Sequence, residues 1–294
     1  MKHAYLIIAH NEFPVLERLL QALDDQRNDI YIHFDAKVKE LPALAVQHAN
    51  LYILQDQERV DVAWGDVSVV EAEYALFEAA NSRGPYAYYH LLSGVDMPLK
   101  SQNEIQNFFD QHQGKEFIGY FTGNMDYELD RKVNRYHLFP KDFRANGTLG
   151  NKIRRLIRYA YMKLQYVFNI RRNTDIEFKK GTQWVSITQR FVDDVLKKKE
   201  EVFKIYGHTF CSDEIFLQTI CWHSPYKDQV FDFDNEGRSS MRSIGWKDGV
   251  LYDYENQDYG HLIQSGSLFA RKFNSRNLEV VDKILANITQ KNEG

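Results

Sequence analysis

The chain has 294 residues, of which 44% are hydrophobic and 27% charged, and its formal net charge is −4 at pH 7. This length can bury a full core, as one large domain or two joined halves, and the charge does not indicate a nucleic-acid-binding protein. The two cysteines lack zinc or disulfide spacing, and neither a signal peptide nor an apolar run of 18 residues is visible, so we expect a cytoplasmic protein.

Strand and helix patterns alternate along the first 120 residues. Short apolar runs predict strands, and apolar residues at helical spacing predict the helices between them. The predicted strands are 4–9, 29–34, 51–54 and 86–92, and the predicted helices are 13–23, about 68–80 and about 103–109. This alternation is typical of βαβ units, so we predict an α/β fold with a mostly parallel central sheet and helices on both faces.

Polar residues follow the predicted strands where ligands bind in such sheets. His10 and Asn11 follow the first strand, Asp35 the second and Asp96 the fourth, while Trp64 precedes the second helix. Right-handed crossovers bring strand exits to one edge, so these residues should gather there. An alternative for Asp96 is that it only caps the next helix. The chain lacks the glycine-rich motifs of dinucleotide-binding and P-loop proteins.

The C-terminal half begins with a basic amphipathic segment, residues 151–172. This segment could lie on an anionic membrane surface or be an ordinary solvated helix. Further on, Ser212 is predicted as the N-cap of a helix whose first turn carries Asp213 and Glu214. The remaining predicted elements are a helix at 188–199, strands at 231–234 and 241–246, and a closing helix at 278–289.

These charged residues suit group transfer from a nucleotide-activated donor. Glu214 could act as a general base, while Arg242 and the adjacent Arg271 and Lys272 could neutralise a departing diphosphate. Each residue also has an ordinary structural interpretation. Asp213 could simply interact with the helix dipole, Arg242 could form a structural ion pair, and Arg271 and Lys272 could be plain surface charges. The histidines show no metal-ligand spacing, and the single D-x-D, residues 232–234, is read as outward strand residues, so we expect no bound metal.

An ordered set of motifs then indicates a family. Each motif is weak alone, but the set keeps its order across nearly the whole chain. The motifs are IHFDAK at 32–37, WG at 64–65, LSGVDMPLK at 92–100, GTQW at 181–184, DE at 213–214, MRSIGW at 241–246 and LFARKF at 268–273. On these residues the chain resembles the core-2/I-branching N-acetylglucosaminyltransferase and peptide O-xylosyltransferase family.

The resemblance implies a GT-A-type fold in one domain, 1–294, and inverting transfer from a UDP-sugar without a metal. Residues 1–120 would bind the nucleotide sugar, and 121–294 would bind the acceptor. Glu214 matches the catalytic base, and Arg242 and Lys272 match the cations that hold the UDP phosphates. The resemblance also assigns binding of the nucleoside to His10, Asn11 and Asp35, the lining of the donor pocket to Asp96, and substrate contacts to Trp64, Trp184 and Asp213. Trp184 could equally be a core residue.

The chain resembles the short bacterial members, because it shows neither the membrane anchor nor the disulfides of animal members. The implied donor sugar is N-acetylglucosamine, with xylose second. The acceptor would be a glycan or lipid-linked glycan in cell-surface polysaccharide synthesis, with peripheral contact at the inner membrane face. Two other classes stay open: a non-catalytic glycan- or nucleotide-binding module, and a glycoside hydrolase, which needs two carboxyl groups facing across a sugar.

Overall fold

The computed structural model describes residues 1–144 and 147–293, the last two of these by backbone alone. The strands are β1 His3–Ala9, β2 Asn28–Phe34, β3 Asn50–Ile53, β4 Tyr88–Ser93, β5 Asp96–Pro98, β6 Ser186–Thr188, β7 Arg242–Ile244, β8 Trp246–Lys247, β9 Val250–Leu251 and β10 Phe269–Arg271. The α-helices are α1 Phe13–Leu23, α2 Ser68–Asn81, α3 Gln102–Gln111, α4 Asp126–Val133, α5 Leu149–Val167, α6 Gln189–Lys197, α7 Lys199–Tyr206, α8 Phe216–Trp222, α9 Glu236–Ser240, α10 Tyr259–Gln264 and α11 Leu278–Glu293.

The central sheet has the strand order β3-β2-β1-β4-β6. The first four strands are mutually parallel, and β6 pairs antiparallel with β4 at the edge. Strands β2 and β4 are buried along their whole length, which is why they appear in the sequence as continuous apolar and aromatic runs. The predicted α/β fold, with a mostly parallel sheet, is therefore confirmed.

Two hydrophobic cores cover the two faces of this sheet. Alternate residues of β1 supply both: Leu6 packs with Tyr74 and Phe77 of α2 on one face, whereas Ile7 packs with Leu16 of α1 on the other. Helix α6 contributes to the first core, and α3 and α11 contribute to the second. Helices thus lie on both faces, as predicted.

A second, three-stranded sheet carries charged residues beside the carboxyl edge of the central sheet. Its order is β5-β10-β7, with β10 antiparallel to β5 and parallel to β7. The register places Arg271 opposite Asp96 and Phe269 opposite Arg242. Asp96 therefore lies within a strand and does not cap α3, which is capped by Ser101 through a hydrogen bond from the Glu104 N–H.

Three local predictions were wrong. Residues 231–234 form a turn, in which the Asp232 carboxylate accepts a hydrogen bond from the Asp234 N–H and pairs with Arg238. The helix predicted at 188–199 is broken at Lys198 into α6 and α7. Ser212 is not an N-cap, because it belongs to a 3-10 turn, Ser212–Glu214, that precedes α8.

Candidate active site

Glu214 ends the 3-10 turn and is held by the GTQW segment. The Glu214 carbonyl accepts a hydrogen bond from the Gly181 N–H at 2.9 Å. A Cβ atom on Gly181 would lie 1.8 Å from the Gly119 carbonyl oxygen, so only glycine allows this approach. The main chain around Glu214 is therefore fixed by close backbone contact.

Two lysines flank the Glu214 carboxylate. Lys132 Nζ lies 3.2 Å from it and Lys180 Nζ lies 3.5 Å from it, and both lysines also contact Glu128, at 2.7 and 3.5 Å. Burial disfavours the charged form of Lys132, but the neighbouring carboxylates outweigh this effect and raise the pKa of Lys132. Glu214 itself is 39% exposed, so its carboxylate is accessible from solvent.

A chain of buried carboxyl groups runs inward from Glu214. Burial, reinforced by the charge of Glu214, raises the pKa of Asp213 to about 7, and Asp213 Oδ1 has no hydrogen-bond partner among the residues that the structure describes. Burial also raises the pKa of Glu73 on α2 well above its usual value, with Asp213 adding to the effect. The Glu73 carboxyl accepts a hydrogen bond from Gln183 Nε2 at 2.6 Å, so the GTQW segment also binds this group.

The predicted nucleoside residues meet at the carboxyl ends of β1 and β2. The Asp35 N–H donates to the Ala9 carbonyl at 3.0 Å, which joins the two strand exits. The Asp35 carboxylate accepts from the Lys37 N–H at 2.8 Å and pairs with Lys37 Nζ at 3.0 Å. His10 and Asn11 are exposed beside it.

The positive charges that act on His10 include that of Lys272. Partial burial lowers the pKa of His10, and Asp35 opposes this shift, whereas the positive charges of Lys37 and Lys272 add to it. The Lys272 side chain is 36% exposed and pairs with Asp253 at 3.3 Å. Lys272 is therefore an accessible cation at the same edge as His10 and Asp35.

Arg271 points into the protein, away from the accessible cation that follows it. Its guanidinium pairs with the buried Asp96 at 3.3 Å and covers the Trp184 ring at 4.1 Å. Burial lowers the pKa of Arg271, and the charges of Asp96 and Asp213 oppose the shift. Trp184 is only 6% exposed, so it packs beneath Arg271 and is not an open surface.

Arg242 lies deeper than the sequence suggested. It is 2% exposed, and its Nη atoms donate to the Ser240 carbonyl at 2.7 Å and to the Val185 carbonyl at 3.0 Å. Its guanidinium also covers the Phe269 ring at 4.4 Å. Burial lowers the pKa of Arg242 to about 10, although Asp96 acts in the opposite direction. The structure therefore does not bring Arg242 to the surface beside Lys272.

Trp64 and Gly65 join the N-terminal half to the segment before Glu214. The Gly65 carbonyl accepts from the Cys211 N–H at 2.9 Å. Gly65 has φ of 79°, and a Cβ atom there would lie 2.2 Å from the Phe210 ring. Trp64 packs edge-on against Phe210 at 5.4 Å, and the Arg144 guanidinium lies over its ring at 3.8 Å, although 47% of the residue remains exposed.

Lys180, which pairs with Glu214, also lines a groove of about 300 Å³. It is mostly aromatic and basic, which suits the stacking and hydrogen bonding of sugars. Its lining residues are Tyr120, Phe121, Thr122, Lys179, Lys180, Trp222, Lys227 and Phe233. A larger cleft of about 540 Å³ lies across α2 and α7, but it contains none of the predicted site residues.

Sequence reasoning missed Lys132, Lys180 and Glu73. The four-residue spacing of Glu128 and Lys132 has the form of a surface helix pair, and nothing in it signals the contact with Glu214. Within residues 1–144 and 147–293, no three or more His, Cys, Asp or Glu residues are grouped as a metal site. In the same ranges, every helix is too short or too polar to cross a bilayer.

Comparison with known proteins agrees with the sequence motifs. Over 315 residues the chain is 24% identical to a Mus musculus beta-1,3-galactosyl-O-glycosyl-glycoprotein beta-1,6-N-acetylglucosaminyltransferase 4, covering 96% of this chain and 64% of that protein. It is 25% identical to a Mus musculus N-acetyllactosaminide beta-1,6-N-acetylglucosaminyl-transferase, covering 92% of this chain and 68% of that protein. It is also 22% identical to xylosyltransferase 2 of Canis lupus familiaris, covering 95% of this chain and 33% of that protein.

The chain therefore spans less than two thirds of the first of these relatives and a third of the xylosyltransferase. The model of the Core-2/I-Branching enzyme family matches residues 3–250, most of the chain and all of the predicted motifs except LFARKF. The resemblance seen in the sequence is confirmed: the chain belongs to the core-2/I-branching enzyme family.

Proposed function

We propose that this protein is an inverting glycosyltransferase that moves a sugar from a UDP-sugar to a hydroxyl group of a glycan acceptor. One observation carries the proposal: the GTQW segment contacts the Glu214 carbonyl through Gly181 and the Arg271 guanidinium through Trp184, and Arg271 directly precedes the accessible Lys272. This segment therefore connects a candidate base to a candidate phosphate-binding cation, both of which transfer chemistry requires. N-acetylglucosamine is the first candidate sugar and xylose the second, after the names of the relatives.

The reaction would proceed in one displacement. The Glu214 carboxylate takes the proton of the acceptor hydroxyl as the acceptor oxygen bonds to the anomeric carbon. The bond from that carbon to the UDP oxygen breaks, and UDP leaves with the electron pair. Attack and departure are in line, so the base and the cations must flank the sugar on opposite sides and the configuration inverts.

The charge on the leaving diphosphate would be neutralised by cations. Lys272 would contact the phosphates at the surface, while Arg242 would add positive charge from within the protein. His10, Asn11 and Asp35 would hold the nucleoside at the carboxyl ends of β1 and β2. This arrangement motivates our proposal that no divalent metal takes part.

The acceptor would enter by the groove that Lys180 lines. Lys180 lies both in this groove and against the Glu214 carboxylate, so a sugar in the groove would present its hydroxyl to the base. Trp64 would contact the sugar from the N-terminal half through the exposed part of its side chain. For the acceptor we propose a glycan, free or lipid-linked, of the kind assembled in bacterial cell-surface polysaccharide synthesis.

Two carboxyl groups beside Glu214, those of Glu128 and Asp213, do not suit glycoside hydrolysis. A hydrolase needs one carboxyl group kept protonated near neutral pH and facing a second one across the sugar. Glu128 shares two lysines with Glu214, and these lysines overcome the effect of burial and lower the pKa of Glu128. The Oδ1 atom of Asp213 is buried, so neither Glu128 nor Asp213 supplies the required acid.

A donor screen tests the proposal. Release of UDP would be measured with UDP-N-acetylglucosamine, UDP-xylose and UDP-glucose, with and without EDTA, and the anomer of any transferred product would be assigned by NMR. We expect one donor to be preferred, no effect of EDTA and a β-linked product. Cleavage of glycans without any nucleotide would support a glycoside hydrolase. A lack of UDP binding would support a non-catalytic glycan-binding module.

A further inference from the structure

We propose that helix α5 is a membrane-docking element that lies in the headgroup region of an anionic bilayer with its apolar side facing the lipid. This inference concerns the location of the protein and does not depend on the proposed reaction. It begins from the direction in which α5 presents its apolar residues.

The apolar stripe of α5 faces away from the protein. Its members recur at helical spacing and are all exposed: Leu149, Ile153, Leu156, Ala160, Leu164 and Val167. The buried residue of α5 is instead polar, Gln165. Leu156 and Gln165 are nine residues apart, which places them about 180° from each other around the helix. A solvated helix on a globular protein has the reverse arrangement, with apolar residues inward.

Polar contacts hold α5 in this orientation. The Gln165 side chain accepts from the Tyr136 N–H at 2.8 Å and donates to the Tyr136 carbonyl at 2.9 Å. The buried Arg135 donates to the carbonyls of Gln165 and Ile170, at 3.0 and 2.6 Å. Arg158 lies over the Phe143 ring at 4.5 Å, on the inward side. The outward direction of the stripe is therefore fixed by several specific hydrogen bonds.

The positive charge of residues 149–172 indicates which partner binds the apolar stripe. Residues 149–172 contain no Asp or Glu, although the whole chain has a net charge of −4. The basic residues of this segment are Lys152, Arg154, Arg155, Arg158, Lys163, Arg171 and Arg172. A second copy of the chain would bring a like charge against this surface, whereas anionic lipid headgroups would attract it.

The residues beside the stripe also suit an interface. Lys152 and Lys163 project next to it, where their alkyl chains can cover lipid while the ammonium groups reach phosphates. Tyr159 and Phe168 are 61% and 69% exposed and would lie at headgroup depth, where aromatic rings are enriched. The helix is about 28 Å long, too short and too basic to span a bilayer but sufficient to lie on one.

The segment that contacts α5 also carries a residue of the candidate active site. Arg135, which binds α5, lies three residues after Lys132, which pairs with Glu214. If the proposed function holds, an acceptor with a lipid anchor would then reach Glu214 without leaving the surface.

Vesicle co-sedimentation tests the docking without any measurement of catalysis. The full chain would be mixed with phosphatidylcholine vesicles, or with vesicles containing about 30% phosphatidylglycerol, which supplies the anionic surface. We expect at least tenfold stronger binding to the anionic vesicles, lost in about 0.5 M NaCl because salt screens the attraction. Equal binding to both vesicle types, or none, would overturn the proposal.

Two sets of variants separate the apolar and the basic contributions. Leu156→Glu with Leu164→Glu should reduce binding at least tenfold, whereas the control Val250→Glu, on the 67% exposed tip of the β8–β9 hairpin, should not. Lys152→Gln with Lys163→Gln should weaken binding to anionic vesicles by roughly fivefold for each lysine. Sedimentation velocity without lipid tests whether a second copy of the chain covers the stripe instead. A dimer that Leu156→Glu converts to a monomer, in a protein that does not bind vesicles, would contradict the membrane docking.

Discussion

Replacement of Glu214 by glutamine should reduce turnover strongly while changing the stability of the fold only slightly. The carboxylate is 39% exposed and pairs with Lys132 and Lys180. Glutamine keeps the shape of the side chain but cannot take a proton. Loss of a general base reduces turnover by roughly 10²–10⁴-fold, or about 3–5 kcal/mol.

The expected effect on stability is much smaller. Lys132 keeps its contact with Glu128 at 2.7 Å, so the substitution does not leave a buried cation without a partner. A partly exposed ion pair contributes up to about 1 kcal/mol, which corresponds to a fall in Tm of roughly 2–4 °C for a chain of this size. UDP affinity should stay within about twofold, because in the proposed arrangement the candidate base does not contact the nucleotide.

The assay is release of UDP from the preferred donor, with Tm and UDP titration measured on the same preparations. Glu128→Gln is the matched control, because it makes the same chemical change beside the same two lysines. We expect the control to lose less than about tenfold in turnover, since it removes no base. Turnover of Glu214→Gln within a few-fold of wild type would refute the assignment of the base.

Two further predictions concern the residues that surround the base. Gly181→Ala should prevent the close approach to the Gly119 carbonyl and unfold or displace the Glu214 turn, seen as a loss of Tm and activity together; unchanged values of both would contradict the packing. The pKa of Asp213 is about 7 in the folded protein, which is above its value in the unfolded chain. The free energy of unfolding therefore falls as the pH rises towards 7, and this loss is complete above that pH. Asp213→Asn should therefore raise Tm more at pH 8 than at pH 5, and an equal change at both pH values would contradict the burial of this carboxyl group.

More of the fold than of the candidate active site could be predicted from the sequence. Parallel strands buried on both faces leave apolar runs in the sequence, and the topology then places His10 and Asp35 at one edge. The partners of Glu214 could not be predicted in this way, because Lys132 is 82 residues distant along the chain. Ser212 fits the N-cap pattern, but Cys211 adopts a left-handed conformation and the α-helix begins only at Phe216.

Burial was the other property that the sequence did not reveal. Arg242 and Arg271 have the same residue type as surface cations, yet both are inside the protein. Their environment depends on three short strands, β5, β7 and β10, that come together from distant parts of the chain. In α5, the sequence shows amphipathic spacing, but the outward direction of the apolar side follows from contacts such as those of Gln165, which the sequence does not reveal.

Calorimetric titration of UDP tests the central claim most directly, that protein cations hold the leaving nucleotide. The titration would use wild type and Lys272→Ala in buffer freed of metal with EDTA, with Lys283→Ala as a control at another lysine paired with one carboxylate. We predict binding to wild type without metal, a loss of about tenfold or more in Lys272→Ala because a charge-assisted contact is removed, and no change in the control. Binding of UDP that requires Mn²⁺, or equal affinity in wild type and Lys272→Ala, would contradict the account.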